Sequence, residues 1–185
     1  MFRQAGADYF NPDEAARRIL ATNPGLSLED ANSAAWHQGR RLLERAIAER
    51  LDFAIETTLG GQTITALLED ALAAGIEVRV WYVGLTDPEL HIARVTSRVR
   101  KGGHTIPESA IRSRYDASRR NLVHLLPSLT EVRVFDNSTE ADPHKGRAPE
   151  PRLILHVTKG RILSVCQLTN VPQWAKPIVA AALSL

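Results

Sequence analysis

Three short polar runs each follow directly on an apolar stretch: Asn11/Asp13/Glu14 after Asp8–Phe10, Glu56/Thr57/Thr58 after Phe53–Ile55, and Asp136/Asn137/Ser138 after Val132–Phe135. Ligands of open parallel sheets collect beyond the carboxyl ends of the strands, so these are the first places to look for chemistry. A carboxylate at Asp13 is suited to accept the proton of an attacking hydroxyl. It also stands in the first turn of an expected helix, where the dipole favours it by about 0.3–1 kcal/mol, so a structural role competes with the chemical one. Glu56 with the hydroxyls of Thr57 and Thr58 can hold a hydroxylated substrate or the water shell of Mg²⁺. The competing reading has one threonine capping the next helix and Glu56 paired with an arginine.

The fourth feature is a segment, 98–120, reading RVRKGGHTIPESAIRSRYDASRR, with six arginines and one lysine in a chain of formal net charge +2. With about 100° per residue on the helix after Pro107, Ile111, Tyr115, Leu122, Leu125 and Leu126 form an apolar stripe. Arg112 and Arg119 fall on one flank of it, Arg114 and Asn121 on the other, and Arg120 points outward. Arg98 and Arg100 precede Gly102-Gly103, so the segment has the makings of a lid that closes guanidinium groups over phosphate. Arginine suits that task because it is planar, permanently charged and bidentate. His104 reads as a solvated or structural loop residue. The six histidines and Cys166 show no metal-ligand spacing, and no Gly-x-Ser-x-Gly elbow occurs.

The elements needed to position these residues can be read in order. Asn11-Pro12-Asp13-Glu14 is a helix start, with a capping side chain, proline at the first position and two acids in the first turn. A longer helix is expected over 29–50, turning Ala31, Ala35, Leu42, Leu43, Ala46 and Ile47 inward. A buried strand at 53–55 is followed by a turn and a helix that stops at Gly75. Val78–Leu85 is a strand, and Asp87-Pro88 opens a helix to about Arg100. After Gly102-Gly103 another helix starts at Pro107-Glu108 and reaches about Leu126. Val132–Phe135 is a strand, Leu153–Val157 and Ile162–Val165 form a hairpin about Lys159-Gly160, and a helix from Pro172 or Gln173 ends the chain. Alternating strands and helices predict an α/β layered fold with a mostly parallel sheet and an antiparallel edge.

With 185 residues, 44% of them hydrophobic and 24% charged, the expectation is one globular domain over 1–185, with Asn137–Pro151 as a surface loop. The small net charge and 5% aromatic content argue against a nucleic-acid partner. No stretch has the length of a membrane span or the h-region of a signal peptide, which with one cysteine predicts a cytoplasmic location and no membrane partner. Cys166 is expected to be a small buried hydrophobe.

In this order and spacing, YFNPDEAAR, GRRLLERAI, FAIETTLGG, AAGIEV, VWYVGL with TDPEL, RVRKGGHTIPESAIRSRY with SRRNL, and VFDNS resemble the zeta-toxin group of P-loop kinases. The resemblance covers residues 8–138, and PQWAKPI near the end also fits. It implies a P-loop NTPase-like three-layer fold, ATP and Mg²⁺ as cofactors, and transfer of the ATP γ-phosphate to a hydroxyl of a small molecule. UDP-amino sugars are the implied substrates and an antitoxin protein the implied partner. By the same resemblance Asp13 is the acid that activates the substrate hydroxyl, and Glu56, Thr57 and Thr58 lie on the substrate side. Arg114, together with Arg100 or Arg98 one turn-like step away, stabilises charge on the transferred phosphoryl group. Asn137 lies near the adenine.

One departure stands out. The family's first strand leads into G-x-x-x-x-G-K-[ST], and residues 1–185 contain no such motif. FRQAGA reads like the end of the helix that follows it. As numbered, the chain is expected to lack the phosphate cradle, its lysine, the Mg²⁺-binding hydroxyl and the central strand, leaving unpaired backbone edges. Three explanations are open. The reading frame begins further upstream, or the chain is a non-catalytic remnant that binds a nucleotide sugar or a protein partner, or a substitute segment has been recruited.

Overall fold

The computed structural model describes residues 8–100, 105–139 and 150–185. The Gly102-Gly103 hinge, His104 and most of the loop expected after Asn137 lie outside them. The chain is mixed α/β and divides into two compact units, one running to Thr58 with Ala66–Ile76 added, the other formed by Leu59–Thr65 and Glu77–Leu185.

In the first unit, β1 (Asp8–Phe10) pairs in parallel with β2 (Phe53–Ile55), with Asp8 opposite Phe53 and Phe10 opposite Ile55. Between them run α1 (Pro12–Thr22) and α2 (Leu28–Glu49). The start of α1 is the one its sequence prescribes: the Asn11 side chain accepts from the Glu14 amide at 2.9 Å, and Pro12 needs no partner for a missing N–H. Ser27 caps α2 in the same way, and the left-handed Arg50 ends it. The two helices pack through small side chains, Ala16 against Ala31 and Ala35, with Ile19 and Leu20 alongside. Helix α2 meets the strands at Gly39, where a Cβ would lie 2.6 Å from the Phe10 ring and 3.4 Å from Ile55. Only a residue without a side chain lets the helix come this close to the strand ends.

The helix α3 (Gln62–Ala73) begins in the second unit and ends in the first. The second unit is built on a sheet in the order β3-β4-β5-β6, from β3 (Arg79–Gly84), β4 (Glu131–Asp136), β5 (Arg152–Thr158) and β6 (Arg161–Val165). β3 and β4 are parallel, joined through α4 (Pro88–Arg100) and α5 (Glu108–Leu125). β5 and β6 are the expected antiparallel hairpin. Its turn residues Lys159 and Gly160 both have positive φ, 48° and 71°, which matches the twist of a tight hairpin. The core contains Leu122, Leu125 and Leu126 from α5 and the residue after it, Val132 and Val134 from β4, Ile154, Leu155 and Val157 from β5, and Ile178 from α6 (Lys176–Leu183).

The strands thus fall into two sheets, each with a parallel pair, and among the described residues β2 bonds only to β1 and β3 only to β4. β3 is less buried than its apolar sequence predicts: Trp81 is 41% and Val83 52% exposed. Cys166 is only half-buried. No helix among the described residues is long and apolar enough to cross a membrane.

Candidate functional site

The first unit brings two of the three polar runs together at the carboxyl ends of β1 and β2. The Glu56 amide donates to the Phe10 carbonyl at 3.1 Å, extending the β1–β2 ladder by one bond. Glu56 accepts from the Tyr9 hydroxyl through one carboxylate oxygen and from the Asn11 amide at 2.6 Å through the other. Asn11 is also the cap of α1, so one side chain links Glu56 to the helix turn that carries Asp13 and Glu14. Asp13 is exposed there, its carbonyl accepting from Arg17 at 3.3 Å. Burial first, and then the Glu56 carboxylate, push the Tyr9 phenol above its ordinary pKa, while the Asn11 amide pulls the other way.

The arginine pairing considered for Glu56 does not form among the described residues. Glu56 is held by a phenol and an amide rather than by an arginine. Thr57 and Thr58 are exposed and precede Gln62, the first residue of α3, by five and four positions.

Loop 59–61 is fixed within the second unit. Leu59 is buried with φ of 52°, a conformation that costs a non-glycine residue on the order of 1 kcal/mol or more. Asn121 of α5, itself buried, compensates by donating to the Leu59 carbonyl at 2.8 Å. Arg114, on the same flank of α5, packs its Cβ and Cγ on Gly60, where an added Cβ would lie 3.0 and 2.9 Å from them. The flank that sequence periodicity assigns to Arg114 and Asn121 is therefore the one that grips the loop.

The arginines of 98–120 divide into two groups. Arg112 meets Glu89 at 2.5 Å and holds its carboxyl below the usual range, and Arg119 pairs with Asp116 while lying 4.1 Å over the Tyr115 ring. Tyr115 in turn donates to the Thr86 carbonyl at 2.7 Å. Arg100 and Arg114 are exposed and make no hydrogen bond or ion pair among the described residues, and neither does Arg120. Arg98 and Arg100 close α4 in its last turn, and Arg100 lines a cavity of about 250 Å³ with Ile92, Val95, Val99, Ile106 and Glu108.

At the end of β4 the third run separates into an anchor and an open group. Asp136 accepts from Ser138 and from the Trp174 indole at 3.2 Å and lies 3.7 Å from Arg152, so it is a structural hub. Asn137 donates its backbone N–H to the Gly84 carbonyl at 2.9 Å, whereas its side-chain oxygen is buried with no partner among the described residues. Among those residues no three His, Cys, Asp or Glu side chains converge as a metal-binding group.

Sequence reasoning missed Tyr9 and Trp174. Tyr9 lies opposite Ala54 in the ladder, two residues before Glu56, and alternation puts those positions on one face. That signal was available in the sequence.

Parallel strands with polar groups at their carboxyl ends and helices between them are consistent with a P-loop NTPase-like fold. The comparison with known proteins agrees: the zeta toxin family model matches residues 15–147, and the chain belongs to that family. A protein of Haemophilus influenzae, described as uncharacterized, is 34% identical over 103 residues, which span 56% of this chain and 71% of its own. No solved structure matches significantly.

Proposed function

We propose that the chain serves phosphoryl transfer from ATP to a hydroxyl of a small molecule, a UDP-amino sugar being the leading substrate, as the toxin of a toxin–antitoxin pair. The observation that carries this reading is the Asn11 bridge, which joins Glu56 to the capped helix turn of Asp13 at the strand ends. In it, Asp13 takes the proton of the attacking hydroxyl, and Glu56, Thr57, Thr58 and Arg98 bind the substrate. Arg100 and Arg114, whose heads are unpaired among the described residues, answer the charge of the phosphoryl group.

ATP, when bound, would supply the γ-phosphoryl group, with Mg²⁺ balancing its charge. The adenine end fits the residues present, since the orphaned oxygen of Asn137 is an acceptor that an exocyclic amine would satisfy. The phosphate end does not fit them, because residues 1–185 contain no G-x-x-x-x-G-K-[ST] loop. A second reading is a non-catalytic protein of this family that binds a nucleotide sugar or a protein partner.

ATP consumption with a panel of UDP-sugars separates the two. The kinase reading expects turnover that Asp13→Asn lowers by roughly 10²–10⁴-fold, the usual worth of a positioned base. Binding of a UDP-sugar without ATP consumption would establish the second reading instead.

A further inference from the structure

The geometry points to Tyr9 as a positioning residue for the proposed site: its phenol, with the Asn11 amide, sets the direction of the Glu56 carboxylate so that the lone pairs left over receive hydroxyl or amide donors of the substrate. This rests on the reading of Glu56 as a substrate-side group.

The geometry follows from the strand pairing. Tyr9 is in register with Ala54, and two residues beyond Ala54 the chain reaches Glu56, so both side chains leave the same face of the β1–β2 ladder. The diagonal distance between such positions, about 7–8 Å, is within reach of an aromatic ring. Asn11 follows Tyr9 by two and completes a closed set of contacts: its amide nitrogen donates to Glu56 at 2.6 Å and lies 3.4 Å from the Tyr9 hydroxyl. The orientation of that amide is fixed, because its oxygen accepts from the Glu14 N–H at 2.9 Å.

Among the described residues, each oxygen of Glu56 therefore has one neutral donor and no cation. The carboxylate stays exposed but loses its freedom to rotate. A carboxylate with fixed acceptor directions discriminates in favour of ligands that present donors at matching positions, as sugar hydroxyls and an acetamido N–H do. The raised Tyr9 phenol agrees with this pairing, since burial and Glu56 both oppose its ionisation, with a further contribution from Glu14 and an opposing one from Asn11.

The test has two arms on the full chain. In the first, the ring carbon bearing the hydroxyl of Tyr9 is followed by carbon-13 NMR against pH, with Tyr9→Phe to assign its signal. Glu56→Gln should lower the midpoint, and an unchanged midpoint overturns the pairing. In the second, UDP-N-acetylglucosamine is titrated calorimetrically into wild type, Tyr9→Phe, Glu56→Gln and the double variant. Each single change should weaken binding roughly tenfold, the range for a hydrogen bond to a charged group, with the double variant little worse than either. Additive losses, or a loss for Tyr9→Phe that tracks a lower melting temperature, overturn the positioning role. Restoration by 3-fluorotyrosine at position 9, which keeps the donor, supports it. A wild-type chain that binds no UDP-N-acetylglucosamine sinks the substrate reading, and the positioning of Glu56 by Tyr9 then stands or falls on the carbon-13 midpoint.

Discussion

Replacing Gly84 by alanine should destabilise the second unit well beyond what one methyl suggests. An added Cβ would meet three carbons of the Trp174 ring, the farthest at 2.7 Å, where carbon atoms ordinarily rest about 3.5–4.0 Å apart. The ring has to retreat by roughly 1 Å, yet it is buried and its N–H is tied to Asp136 at 3.2 Å. A retreat of that size breaks the indole–carboxylate bond and loosens the strand end from which Asn137 projects, because Asn137 is itself bonded to the Gly84 carbonyl. Overpacking at about 1–3 kcal/mol and loss of a hydrogen bond to a charged group at about 1.5–3 kcal/mol together give roughly 3–5 kcal/mol. For a chain of this size that is a fall of about 10 °C in melting temperature. Urea denaturation followed by tryptophan fluorescence would read it, and the same substitution placed in a Trp174→Leu background should cost less than about 0.5 kcal/mol more, because the clash is gone. Gly84→Ala melting like wild type, or equal costs in the two backgrounds, would refute the contact as described.

On the proposed kinase reading, Arg114→Ala should reduce turnover by about 10³-fold or more with little loss of stability, whereas Arg112→Ala, which breaks an exposed pair with Glu89, should change stability by no more than about 1 kcal/mol and leave turnover near wild type. Equal turnover for the two variants would remove Arg114 from the site. Asn121→Leu leaves the Leu59 carbonyl without its donor and should cost about 1–3 kcal/mol; denaturant melts matching wild type would show the loop held by something else. Burial, then the charge of Arg94, hold the His91 imidazole below its ordinary pKa, partly offset by Asp87. The folded state therefore binds that proton less readily than the unfolded chain, so stability should decline as pH falls from about 6.5 toward 5. His91→Phe, which keeps a ring against Tyr115, should flatten that decline, and a slope identical to wild type would assign it to other groups.

Most of the elements were legible because their ends are marked by side chains acting locally. Asn11-Pro12, Asp87-Pro88 and Lys159-Gly160 each satisfy or release backbone groups within a few residues, and each boundary lies where those residues put it. The helical period likewise placed Arg114 and Asn121 on one flank. It could not show that this flank closes on loop 59–61, since the partners are 62 positions apart in sequence. Asp136 illustrates the opposite failure: a strand-end carboxylate reads as chemistry, but here the indole of Trp174 and the hydroxyl of Ser138 occupy it. Arg112 and Arg119 likewise belonged to a cationic segment by sequence, and their charge is answered by Glu89 and Asp116.

The hydrogen bond from Asn121 to Leu59 sets an order of events during synthesis. Sixty-two residues separate donor from acceptor. At about 5–20 residues per second a ribosome needs roughly 3–12 s to make them, so strand β2 and Glu56 emerge well before the side chain that locks the following loop exists. Throughout that interval the Leu59 carbonyl is without the Asn121 amide that donates to it in the folded chain. A nascent chain of this protein therefore passes through a stage in which β2 and Glu56 have been made but the hydrogen bond that fixes the following loop has not. The final form of the loop is thereby tied to the completion of α5, a delay written into the distance between two residues.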